Sequence, residues 1–161
     1  MAMRILIAIA VLFVIAQFVP KTVYPLTNPP VDETRTLAAR ARTLTPEVHA
    51  ILVRACQDCH SNKTVWPWYS KVAPVSWLLS HDVSEARRHM NMSNWARYNP
   101  MAAANKLEHI CEEVDQGDMP LWYYRPMHPQ ATLSDSDKKA ICAWTRAEQA
   151  AVQSSTPSTA R

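Results

Sequence analysis

From Ile5 to Val19 the chain carries no charged residue, and Gln17 is the one strongly polar side chain in that run. Met1 to Arg4 form a short basic start before it, and Pro20-Lys21 closes it. A membrane-spanning helix needs about 20 apolar residues; counted from Met1, with Arg4 snorkelling to the surface, the run approaches that length. The pattern predicts an N-terminal transmembrane helix over residues 1–20. The same pattern allows a cleaved signal peptide, with Val14-Ile15-Ala16 ahead of the cleavage point. Both readings place everything after Lys21 outside the cytoplasm. Arg4 and Lys21 nearly cancel under the positive-inside rule, so charge does not set the orientation.

Beyond the run, hydrophobic spacing becomes helical and intermittent. Residues 21–44 contain Pro25 and Asn28-Pro29-Pro30, which favour extended backbone. They read as a tether with a short helix over 33–42. Thr45-Pro46-Glu47 signals a helix start, with Thr45 as N-cap. Val48, Ile51, Leu52 and Ala55 form its apolar face. Residues 62–73 are irregular and aromatic. Pro74 to about Met90 reads as a helix with Trp77, Leu78, His81 and Val83 towards one face. Asn99-Pro100 opens another, carrying Leu107, Ile110, Cys111 and Val114 as a stripe and ending at Gly117. Residues 119–133 form a proline-rich loop. Ser134 to Asp137 cap a last helix to about Ala150, with acids placed for the helix dipole. Residues 151–161 read as a disordered polar tail. No segment alternates with period two. The fold class is all-α with long proline-rich loops.

Composition narrows the functions. Charged residues make up 19% of the chain and the net charge is +3, too weak and too scattered for a nucleic-acid partner. The single glycine argues against dinucleotide folds and phosphate loops, whose turns need several. Twelve prolines imply rigid connections, and a small domain of this kind leans on a staple or a large cofactor.

The sequence Cys56-Gln57-Asp58-Cys59-His60 is the attachment signature of a c-type haem. Two thiols one helical turn apart reach the two vinyl groups, and the adjacent histidine supplies an axial nitrogen. A thioredoxin-like redox pair lacks its βαβ context here. A zinc site would need a second close pair, and Cys111 and Cys142 stand apart. The expected cofactor is one haem c, covalent through Cys56 and Cys59, in a domain over 45–150, with Trp66 and Trp68 walling it. Gly117-Asp118-Met119-Pro120 offers a thioether as sixth ligand to the iron. His81, and after it His128, are the alternatives.

With the helix from Thr45, the motif, Met119-Pro120 and the helix from Ser134 in that order, the chain resembles class I cytochromes c. It is also similar to a narrower group, the bacterial c-type haem-binding domain family, usually with one N-terminal membrane segment. The resemblance rests on Cys56 to Asn62, Trp66-Pro67-Trp68-Tyr69-Ser70, Ala73-Pro74-Val75-Ser76-Trp77, His81-Asp82-Val83, Gly117 to Pro120, and His128-Pro129 before Leu133-Ser134. It covers roughly residues 52–144. Ala86 stands where that pattern has glycine and Met92 where it has phenylalanine. The resemblance implies haem binding and a cytochrome c-like all-α domain, and it implies no particular reaction.

Trp122, Tyr123 and Tyr124 read either as a shield on the haem face of Met119 or, if exposed, as a contact for lipid or a partner. Cys111 and Cys142 are expected to join their two helices as a disulfide, as exported thiols tend to pair. Filled axial positions favour single-electron transfer over catalysis. The expected partners are the membrane and a redox protein, a respiratory or photosynthetic oxidoreductase. The expected place is the inner membrane, single-pass, with the haem domain in the periplasm. A peroxidase-like enzyme, using His81 with Asp82 or Arg125, and a haem-based sensor both need an open or labile sixth position.

Overall fold

A computed structural model describes residues 1–18 and 26–154. Seven α-helices occur among them: α1 (Ala2–Gln17), α2 (Leu37–Arg40), α3 (Pro46–Ala55), α4 (Gln57–His60), α5 (Val75–His89), α6 (Pro100–Gln116) and α7 (Asp135–Gln153). Short 3-10 turns fill much of the connections, and no strand occurs among the described residues.

The helix ends follow the capping chemistry read from the sequence. Thr45 Oγ1 accepts from Val48 N at the start of α3, Asn99 caps α6, and Ser134 and Asp137 form a reciprocal capping box on α7. Gly117 closes α6 at φ 85°, a left-handed conformation that a side chain would strain.

The core is the meeting of α3, α6 and α7. Val48, Ile51 and Leu52 pack with Leu107, Ile110, Val114, Ile141 and Trp144. Met92, in the place where the family pattern has phenylalanine, is buried in the same cluster. Arg54, in the last turn of α3, pairs with Asp137 at 2.7 Å and donates to the carbonyls of Gln130 and Thr132. The residue two before Cys56 is thereby fixed to the start of α7. Cys111 and Cys142 are joined as a disulfide that staples α6 to α7.

Residues 26–44, expected as part of a tether, lie against the domain. Leu37 enters the core at 3% exposure. The Arg87 guanidinium holds Thr27 O and Asn28 Oδ1, and also Ser61 O and Thr64 Oγ1. Glu148, buried in α7, accepts from the backbone N–H groups of Arg42 and Thr43 and from the Thr43 hydroxyl. An exposed extended chain would leave these donors to water; here one carboxylate collects them.

The face expected on α5 is also corrected. Ser76, Ser80 and Val83 are buried, whereas Trp77, Leu78 and His81 are exposed. α5 packs against α4 and the 3-10 turn Trp68–Lys71.

The predicted transmembrane helix corresponds to α1, whose 16 residues span about 24 Å. Among the described residues no helix is long and apolar enough to cross a membrane. Residues 19 and 20, included in that prediction, lie outside the described residues, as do 155–161 of the expected tail. None of α1 is buried. Its last residue, Gln17, meets the domain at the backbone of Ala73.

Candidate functional site

The motif sits at a kink between helices. α3 ends at Ala55, Cys56 takes φ −123°, and α4 starts at Gln57. Cys56 N still donates to Leu52 O and His60 N to Cys56 O, so the backbone stays near-helical and the two sulfurs are one turn apart. Both are free, half-buried thiols. Burial pushes each up to about 12; for Cys59 the charges of Asp58 and Asp82 add to it. At neutral pH both are therefore S–H groups.

Burial holds the His60 imidazole below its ordinary range. Its Nδ1 lies 3.2 Å from the carbonyl oxygen of Met90, at the end of α5. A carbonyl only accepts, so Nδ1 carries the proton and Nε2 keeps its lone pair for a metal.

On the other side of Cys59 stands a polar aromatic group. Asp58, between the two cysteines, accepts from Val65 N through Oδ1 and from the Tyr124 hydroxyl through Oδ2. The Tyr124 ring stacks on His128 with centroids 4.0 Å apart and planes 8° apart. His128 Nε2 is hydrogen-bonded to the Tyr69 hydroxyl. Burial, helped by Asp58, raises Tyr124 above its ordinary range, and burial lowers His128. Asp58, Tyr124 and His128 line a narrow cleft beside Cys59, with room for about one water molecule, walled from α5 by Leu79 and Val83. Tyr123, next along, donates to Asp82, and burial with that bond pushes it up to about 12.

The other residues singled out from the sequence are spread around this centre. Met119 is half-buried just past Gly117, where its N–H and that of Asp118 both donate to Glu113 O. His81 is exposed on α5. Trp68 is 73% exposed and meets Tyr69 edge-on. Trp66 is half-buried, and its indole nitrogen is buried without an acceptor among the described residues. Sequence reasoning missed the grouping of Asp58, Tyr69, Tyr124 and His128. The one available signal was Asp58 itself, an acid inside the motif.

A family profile described as a haem-binding domain matches residues 11–147. The chain belongs to the haem-binding domain family. Membership covers everything from the second half of α1 to the last turns of α7. No curated protein and no solved structure matches the chain. The residues of the motif and its surroundings suit that cofactor. The motif offers two neutral thiols and one imidazole with its tautomer fixed. Cys111 and Cys142, the other two cysteines, are committed to each other. The buried N–H of Trp66, six residues past His60, is an unused donor of the kind a propionate carboxylate accepts.

Proposed function

We propose that this member of the family is a membrane-anchored monohaem c-type cytochrome that transfers single electrons on the periplasmic side of the inner membrane. The carrying observation is the fixed tautomer of His60 on the same helical turn as two free thiols. In attachment each thiol adds across one vinyl group, sulfur to one carbon and hydrogen to the other. Cys56 and Cys59 would hold the haem, and His60 Nε2 would be the proximal ligand. Bound haem supplies a one-electron iron couple. Met119 is the proposed sixth ligand, with His81 and then His128 behind it, and Trp66 and Trp68 would shield the ring.

Two features support the membrane assignment. α1 presents Ile5, Leu6, Ile9 and Leu12 on one face and Ile7, Val11, Val14 and Ile15 on the opposite one, an all-round apolar surface that water disfavours and lipid does not. The Cys111–Cys142 disulfide fits an oxidising compartment. The partner in this reading is a respiratory or photosynthetic oxidoreductase.

A second reading, a peroxidase-like enzyme or a haem-based sensor, is favoured by the cleft beside Cys59, where His128 and Tyr124 could manage protons. Absorption spectra of the purified protein, oxidised, reduced and with carbon monoxide, separate the two. A low-spin c-type spectrum with the far-red methionine–iron band and no carbon monoxide shift supports electron transfer. High-spin iron or prompt carbon monoxide binding replaces it with the second reading.

A further inference from the structure

One peptide unit beside the motif is gripped at both ends. The carbonyl of Met90 faces His60 Nδ1 at 3.2 Å. The N–H of the same unit, on Asn91, donates to the Tyr98 hydroxyl at 3.0 Å. Because a peptide is planar, holding its N–H sets the direction of its C=O. The Asn91 side chain then locks the plane to the motif's own flank. Its Oδ1 accepts from Ser93 N at 2.9 Å, and its Nδ2 donates to Asn62 Oδ1 at 2.8 Å. Asn62 N closes the ring on Ser93 Oγ at 3.0 Å. Asn62 is two residues past His60, so the imidazole and the carbonyl it meets are fixed in one frame.

This frame is buried: Asn62, Asn91 and Ser93 are 4%, 5% and 2% exposed. Buried amides are costly unless satisfied, and a satisfied network makes a rigid one. Merely ending α5 needs no such arrangement. A ligating imidazole, by contrast, becomes a stronger donor as the acceptor on its other nitrogen is held closer. A stronger axial donor favours the oxidised iron and lowers its potential.

We propose that Tyr98 and Asn91 are positioning residues that hold the Met90 carbonyl on His60 Nδ1 and so set the reduction potential of the iron. The proposal rests on His60 being the proximal ligand, as in the function proposed above. Tyr98→Phe removes only the hydroxyl and keeps the ring against Trp95; Asn91→Leu removes the lock. Potentiometry on each full-length holoprotein is the test. Both variants should shift the oxidised-to-reduced ratio towards reduced iron by about tenfold at a given potential, 59 mV for one electron. Glu148→Gln, which loosens the backbone of Arg42 and Thr43 from α7 and touches no residue of the motif, should leave the potential unchanged. Equal potentials in Tyr98→Phe and the unsubstituted protein overturn the proposal, whether or not Asn91→Leu folds. An equal shift in Glu148→Gln also overturns it, because general loosening then suffices. If His60→Ala leaves the unsubstituted spectrum intact, the ligand assignment fails instead, which is a separate result.

Discussion

The carboxamide of Gln17 pairs with both backbone polar groups of Ala73. Its Oε1 accepts from the Ala73 N–H at 2.9 Å and its Nε2 donates to the Ala73 carbonyl at 3.2 Å. The single strongly polar residue of the apolar run is thus the one that fastens α1 to the domain. Each such bond contributes on the order of 1 kcal/mol. Gln17→Leu should speed amide exchange around residues 70–76 by about tenfold, read by hydrogen-exchange mass spectrometry. An unchanged rate would mean that the pair does not hold in solution.

The sixth ligand is open to direct test. Met119→Ala should convert low-spin iron to high-spin and abolish the far-red band. His128→Ala and His81→Ala should leave both signals in place. His128 is the alternative with more to overcome, since ligation would break its bond to Tyr69 and its stack on Tyr124. If Met119→Ala changes nothing, the spectrum of His81→Ala becomes the deciding one.

Acid should weaken the α3–α7 junction before the rest. The Arg54 guanidinium, with help from Ser134, holds Asp137 down to about 2, against an ordinary value of 3.8. A carboxylate with a depressed value in the fold binds its proton more readily when unfolded. Its contribution is therefore complete above about pH 4 and disappears as pH falls towards 2. Solvent screening limits it to about 1 kcal/mol. Asp137→Asn should lower the melting temperature at pH 6 and flatten its fall between pH 4 and 2. A parallel fall in both proteins would contradict this.

The disulfide closes a sequence separation of 31 residues. Chain-entropy reasoning gives about 3 to 4 kcal/mol for a loop of that size. Urea unfolding of a Cys111→Ser, Cys142→Ser variant should show a loss of that order with haem still attached. Added reductant should then have no further effect on the variant.

Much of the helical skeleton was legible in the sequence because capping is local. Thr45-Pro46, Asn99-Pro100, Gly117 and Ser134 to Asp137 each mark a helix boundary through atoms within four residues. The motif was legible for the same reason. What was not legible depends on contacts across the chain. Glu148 reads as surface charge until the backbone of Arg42 and Thr43 arrives, more than 100 residues away in sequence. Asn62, Asn91 and Ser93 carry no local signal in the sequence, yet they interlock in the interior. On α5 the apolar Trp77 and Leu78 suggested the buried face, yet Ser76 and Ser80 are buried with Val83 and the two larger side chains are exposed. Hydrophobic spacing alone does not report which face a neighbour covers.

The two cysteine pairs place opposite demands on one compartment. Cys111 and Cys142 need oxidising conditions to stay joined, while the proposed attachment would require Cys56 and Cys59 to stay reduced until they meet a vinyl group. One turn apart and with no other thiol in the chain to meet, the motif pair has two competing fates: bonding to each other or bonding to haem. Under the covalent attachment proposed above, maturation would be a race for the same two sulfurs, and a cell making the protein would need reducing equivalents delivered selectively to one helical turn of an otherwise oxidised molecule.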